Sequence, residues 1–213
     1  MVPAAPAQVA IVRTGVANMA SVVAAFERLG ARTLITTDPE VVASSSHVML
    51  PGVGAFGAGM AALNEMGVAS ALLERMRADR PTIAICLGLQ LLCEASEETA
   101  GVGGLGLLPV QVTRFAGVGL KVPQLGWNRV EAPPDARFLR SGHAYFANSY
   151  RLTNVPIGWS AALADYAGTF VAALERGNLL ACQFHPELSG PWGQALLSRW
   201  LDAGQPSQAT EVR

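Results

Sequence analysis

The sequence predicts an α/β fold: an open, mainly parallel sheet with flanking helices, plus an antiparallel extension. Short apolar runs at Gln8 to Val12, Arg32 to Thr36, Val48 to Leu50 and Ile83 to Ile85 are each separated from the next by helical sequence, and strands joined through helices pair in parallel. From Glu94 onward the pattern turns to short alternating segments divided by turn residues, which reads as antiparallel strand. Between the two halves, at Cys86, an apolar strand runs straight into a helix.

Taken in order, Gln8 to Val12 is a buried first strand, and Arg13-Thr14-Gly15-Val16-Ala17-Asn18 turns it into a helix from Met19 to Leu29. Asn18 suits the N-cap and Gly30 the C-cap. The turn reads first as a plain βα connection, with a ligand holder as the alternative. A second strand spans Arg32 to Thr36, Asp38-Pro39 starts a short helix to Val42, and Val48 to Leu50 is the third strand. A glycine loop, Pro51 to Gly57, leads to a helix from Gly59 to Arg77 with a weak point at Gly67. Pro81 breaks the chain before the strand that reaches Cys86, and the following helix is expected to carry Cys93 two turns on. Thr99 to Pro109 is glycine-rich loop. Strand segments follow at Val110 to Phe115, Leu120 to Pro123, Trp127 to Val130, Ala144 to Ala147, Ser149 to Leu152, Ser160 to Leu163 and Phe170 to Leu174. Asn178 to Phe184 is the last strand, and Gly190-Pro191 opens a closing helix to Leu201. Residues 1–203 read as one domain and 204–213 as a frayed polar tail.

Composition narrows the partners. The chain has 213 residues, 51% of them hydrophobic and 15% charged, with a net charge of −1, which excludes the basic surface that nucleic acid or an anionic membrane would need. The start, MVPAAPAQ, has no basic segment followed by an apolar core, and no run of about 18 apolar residues occurs, so a cytoplasmic protein with no membrane segment is expected. The three cysteines, Cys86, Cys93 and Cys182, lack CxxC spacing and so predict reduced thiols, with neither a disulfide framework nor a metal site.

Cys86 stands where a nucleophile elbow would place it. A strand-to-helix turn crowds the residues two before and two after its corner, and these are Ala84 and Gly88. The helix start offers free N–H groups and a positive partial charge that favour a thiolate. The competing reading is a cysteine that only fills core. In Pro51-Gly52-Val53-Gly54-Ala55-Phe56-Gly57, two glycines flank one residue, so the loop can turn a peptide N–H toward a developing oxyanion. Ordinary turns look alike, and the Lys-Ser/Thr ending of a phosphate loop is missing. Of three histidines, His47 and His143 precede their strands, whereas His185 follows the last strand and lies at the carboxyl ends, where open α/β sheets bind ligands. Pro186 favours an extended His185, which lets Glu187, two residues on, approach its imidazole. Cys86, His185 and Glu187 thus form a candidate nucleophile, base and orienting carboxylate. A surface histidine and a solvated glutamate are the plainer alternative. Cys93 and Cys182 read as core.

The segments PGVGAFG, ICLGLQLL, KVPQLGWN, YFANSY and QFHPELSG, in this order and spacing, resemble the class I (triad-type) glutamine amidotransferases, and within them the glutaminase subunits of imidazole glycerol phosphate synthases, from Val9 to about Leu201. The resemblance implies a flavodoxin-like sheet. Cys86 would attack the carboxamide of glutamine to form a thioester, His185 would transfer the protons, and Glu187 would hold His185. The N–H of Leu87 would meet the oxyanion with an N–H from Val53 or Gly54, and Gly52, Gln90, Ser149 and Tyr150 would line the glutamine pocket. Asn18, Trp127 and Asn128 would face a partner, a separate (βα)₈ cyclase that receives the ammonia and forms imidazole glycerol phosphate and an aminoimidazole carboxamide ribotide. No cofactor is implied. Many relatives have histidine where Gln124 and Asn148 stand, a basic residue at Leu188 and an acidic one at Arg13, departures that touch the partner face and pocket rim. A glutaminase subunit serving another acceptor, such as a sugar-modifying paralogue, a non-catalytic binding subunit and a stand-alone cysteine hydrolase are the alternatives.

Overall fold

A computed structural model describes residues 7–14 and 18–203. The Gly15-Val16-Ala17 part of the first turn and the tail expected to fray, 204–213, lie outside the described residues.

Five of the seven strands in the main sheet come from the apolar runs. These are β1 (Gln8–Val12), β2 (Arg32–Thr36), β3 (His47–Leu50), β4 (Thr82–Ile85) and β12 (Leu179–Cys182). Each pairs in parallel with its neighbours in this group, in the order β12-β4-β3-β1-β2. Two strands from the alternating region, β10 (Ser160–Asp165) and β11 (Thr169–Arg176), add to the β12 side in antiparallel fashion. The rest of that region does not join the sheet. β7 (Gln124–Val130) and β8 (Gly142–Asn148) form a separate hairpin, and β5 (Cys93–Ser96), β6 (Leu108–Arg114) and β9 (Tyr150–Arg151) form a third small sheet.

Both faces of β1, β3, β4 and β12 are largely dry, as their apolar runs require, whereas the edge strand β2 leaves Leu34 and Ile35 exposed. Val9, Ile11, Met49, Ile83 and Ile85 pack on one side with Phe26 of α1 (Met19–Glu27), Phe146 of β8, and Leu196 and Trp200 of α6 (Gly190–Leu201). Ala10, Val12, Val48, Leu50 and Ala84 face the other way, against α2 (Pro39–Ser44), α3 (Phe56–Glu65), α4 (Val68–Arg77) and α5 (Leu87–Leu91). Among the described residues no single helix is long and apolar enough to cross a membrane.

Four expectations change. The helix expected from Gly59 to Arg77 is two helices, α3 and α4, bent by 96° where Gly67 adopts φ 68°. Leu120 to Pro123 is a turn without strand pairing, since Pro123 removes a ladder donor and Gly117 and Gly119 loosen the segment before it. The helix after Cys86 is a single five-residue element, so Cys93 begins a strand and does not lie on that helix. Neither histidine expected ahead of its strand lies there: His47 is the first residue of β3, and His143 takes an exposed position within β8, because the hairpin extends two residues further than its apolar core.

Candidate active site

The site exists because β4 and β12 are neighbours. Their register pairs Ile85 with Cys182, and the Cys86 N–H continues the ladder to the Cys182 carbonyl at 2.7 Å. The residues leaving each strand at its carboxyl end, Cys86 and Gln183 to His185, therefore come together although about a hundred positions separate them in the chain.

Cys86 takes φ 55° and ψ −109°, a left-handed backbone that side-chain-bearing residues rarely adopt. The turn is tight enough that a Cβ on Gly88 would lie 2.2 Å from the Leu50 carbonyl oxygen, which is why the second position after the cysteine must be glycine. The strain holds the thiol, largely buried itself, at the wall of a cleft of about 300 Å³ lined by Val53, Gly54, Gln90, Asn148, Ser149 and Tyr150 with His185.

His185 is buried, and its Nδ1 lies 2.8 Å from Glu187 Oε1. The approach is not the one the sequence suggested. His185 is extended, but Pro186–Leu188 is a turn of 3-10 helix, and it is this turn that folds Glu187 back under the ring. The Ser189 hydroxyl donates to the His185 carbonyl at 2.6 Å and accepts from the Tyr145 N–H at 3.0 Å, fixing the turn to β8. With Nδ1 engaged by Glu187, the other ring nitrogen is left for Cys86, which lines the same cleft. Burial pushes the imidazole pKa down, but the hydrogen bonds and attraction of Cys86 and Glu187 outweigh it and raise it to about 10. Because the unfolded reference is about 6.5, this ion-paired histidine stabilises the fold fully below about pH 6.5, and the contribution is lost as pH rises through about 10. Urea unfolding is thus expected to show stability falling between pH 7 and 10, with a shallower fall in Cys86→Ala, where the strongest of the raising partners is gone.

The glycine loop is pinned at both ends. The Thr14 hydroxyl donates to the Pro51 carbonyl at 3.1 Å, while Glu98 Oε2 and Thr99 Oγ1 accept the N–H groups of Phe56 and Gly57 at 2.6 and 3.1 Å. Between the anchors Gly54 has φ 109° and open space around its α-carbon. The Gly52 carbonyl accepts the Leu87 N–H at 3.2 Å, so one expected oxyanion donor is occupied. Gly52 allows this approach, since a Cβ there would meet Leu87 Cβ at 2.8 Å.

A match to the family model "Glutamine amidotransferase class-I" covers residues 15–203. The chain belongs to the class-I glutamine amidotransferases. It is 40% identical over 198 residues to "Imidazole glycerol phosphate synthase subunit HisH" of Symbiobacterium thermophilum, covering 91% of this amidotransferase and 93% of the relative. It is 42% identical over 205 residues to the HisH subunit of Deinococcus radiodurans, covering 93% and 94%. "Imidazole glycerol phosphate synthase hisHF, chloroplastic" of Arabidopsis thaliana is 38% identical over 199 residues, and there the match spans 91% of this chain but 34% of the plant protein. Among solved structures, "Crystal structure of glutamine amidotransferase" superposes with a TM-score of 0.72 over 91% of this chain and 96% of that one, at 20% identity, a likeness of fold.

Of the remaining residues singled out in the sequence, Ser149, Tyr150 and Gln90 line the cleft with Cys86. Asn18 caps α1 by accepting the Ser21 N–H at 3.3 Å and borders a second, mainly apolar cavity of about 180 Å³ with Gly52, Val53, Ile85, Glu187 and Leu188. Val53, Ala147 and His185 line both cavities. Trp127 is 59% exposed, whereas Asn128 is tied inward to the Asp165 carbonyl at 2.8 Å. Cys93 and Cys182 are buried, and burial pushes both thiols upward in pKa, away from reactivity. Sequence reasoning missed Glu98, which sits in aperiodic loop and gave no signal, and gave Gln183 no role although it shares a strand side with His185.

Proposed function

We propose that this amidotransferase is the glutaminase subunit of an imidazole glycerol phosphate synthase, hydrolysing glutamine to glutamate and passing the ammonia to a separate (βα)₈ cyclase. The buried Cys86–His185–Glu187 set at the wall of a cleft sized for a small amino acid carries the reading, and the HisH relatives support the choice of synthase.

In this reading the Cys86 sulfur attacks the side-chain carbonyl carbon of glutamine, and the tetrahedral oxyanion collapses as His185 gives its proton to the departing nitrogen. Ammonia leaves, a γ-glutamyl thioester remains, and water deprotonated by His185 hydrolyses it to glutamate. Glu187 holds the ring through both halves. Gly52, Gln90, Ser149 and Tyr150 surround the substrate. The Leu87 N–H serves the oxyanion only once the Gly52 carbonyl is withdrawn. Rotation of the Gly52–Val53 peptide does this and brings the Val53 N–H inward, and the anchored loop ends confine the motion to the residues between Pro51 and Phe56. Each such donor is worth about 10² to 10³ in rate, so the protein idles until something favours the rotated loop.

The partner is placed on the face carrying Asn18, Trp127 and Leu188, next to the second cavity, with Leu125 and Trp127 exposed on one side of the hairpin. Asn128 would meet it at the edge, through contacts its tie to Asp165 leaves open. A reducing cytoplasm suits the three unpaired thiols.

Glutamate release is expected to rise by about 10²-fold or more when the cyclase and its nucleotide ligand are added, one oxyanion donor being worth that much. Equal rates with and without the cyclase would sink the reading, and co-purification with a different synthase would point to another acceptor.

A further inference from the structure

Gln183 follows β12, is fully buried, and has both ends of its side chain engaged. Its Oε1 accepts from Gln90 Nε2 at 3.0 Å, and its Nε2 lies 3.7 Å from Cys86 Sγ. Its backbone N–H is held by the Ala172 carbonyl at 2.8 Å, so the side chain has a fixed base. The orientation of the carboxamide follows from the one group in the chain of bonds that has no choice. The Tyr150 carbonyl can only accept, and Gln90 Nε2 reaches it at 3.4 Å. Gln90 must therefore turn its NH₂ toward both Tyr150 and Gln183, which obliges Gln183 to face Gln90 with oxygen and the sulfur with its NH₂.

We infer that Gln183 is a positioning residue with two tasks, donating to the Cys86 sulfur and locking the Gln90 amide at the substrate pocket. A thiol is a weak acceptor and a thiolate a strong one, so a buried N–H aimed at the sulfur favours the attacking form. The inference rests on Cys86 being the nucleophile. The other titratable groups about the sulfur are His185, Glu187 behind it, and Glu98 and Tyr150 along the cleft.

The two tasks separate in two variants of similar length. Gln183→Glu keeps an acceptor for Gln90 but turns an acceptor on the sulfur. In the cyclase-bound enzyme its KM is expected to stay within about twofold while kcat falls about tenfold or more, and the pH midpoint for iodoacetamide alkylation of Cys86 in the isolated chain rises by about one unit, the size expected for one hydrogen bond to a charged group. Gln183→Met loses both tasks, so KM rises as well. Where either variant fails to fold, the other carries the alkylation measurement. In wild-type protein the side-chain amide ¹⁵N resonance of Gln183 should move with the same midpoint as the alkylation. A folded variant with the wild-type midpoint and kcat, or a resonance that ignores the titration of Cys86, would overturn the inference. Full glutaminase activity in Cys86→Ala would instead overturn the proposed function, so the two failures are distinct.

Discussion

Cys86→Ala is expected to abolish glutamate release by the cyclase-activated protein, by at least about 10⁴-fold, because loss of the nucleophile removes the covalent route and leaves only binding and the oxyanion donors. The same substitution at the other two thiols should leave the rate within about threefold, since neither lines the cleft and burial, with neighbouring carboxylates, keeps both protonated and inert. Cys93 donates to the Leu89 carbonyl at 3.7 Å, and Cys182 lies in the β4–β12 ladder with its side chain in the apolar layer. Assaying the three alanine variants side by side, with thermal unfolding as a check that each folds, tests the assignment. A Cys86→Ala protein that still made ammonia at more than a per cent of the wild-type rate would remove the basis of the triad.

The parallel half was legible because its inner strands are buried on both faces and so announce themselves as apolar runs. β1, β2 and α6 begin and end where the sequence placed them. The elbow was legible for a different reason, since a turn that crowds Leu50 tolerates only a few residue types and leaves them visible as Ala84, Cys86 and Gly88. Strand polarity put His185 at the carboxyl end with Cys86, but nothing in the sequence showed that Gln183 would touch the sulfur, because that depends on which strand lies beside β4. Strand order was likewise hidden in the second half. The alternating segments were recognisable as strands, yet whether they extended the main sheet or closed among themselves turned on long-range pairing. Local pattern also misjudged Leu120 to Pro123, where two apolar residues outweighed a proline that cannot donate to a ladder. In the His185–Pro186–Glu187 turn the expected contact between His185 and Glu187 forms, but through a different backbone. Proline restricts the residue before it but is welcome as the first residue of a helical turn, and the chain takes that second option.

Gly88→Ala should cost both stability and about two orders of magnitude in rate, without touching a catalytic group. The added methyl would lie 2.2 Å from the Leu50 carbonyl oxygen and 3.2 Å from the Leu50 carbonyl carbon, and backbone cannot swing aside as a side-chain tip can. Either α5 lifts from β3 or the end of β3 is driven back, and each displaces something the chemistry needs. α5 carries Leu87 and Gln90, while Leu50 is the last residue before the glycine loop. Overpacking of this kind costs about 3 kcal/mol, which for a domain of this size lowers the unfolding temperature by about 6 to 12 °C. A displacement of about 1 Å at the elbow costs about 10²-fold in rate. The increase in helix propensity from glycine to alanine, about 1 kcal/mol, works in the opposite direction and is too small to offset the clash. Thermal unfolding and glutamate release measured on the same preparation test both parts. A Gly88→Ala protein that unfolds at the wild-type temperature and turns over at the wild-type rate would mean that α5 does not pack against Leu50 as described, and the elbow geometry that presents Cys86 would have to be redrawn.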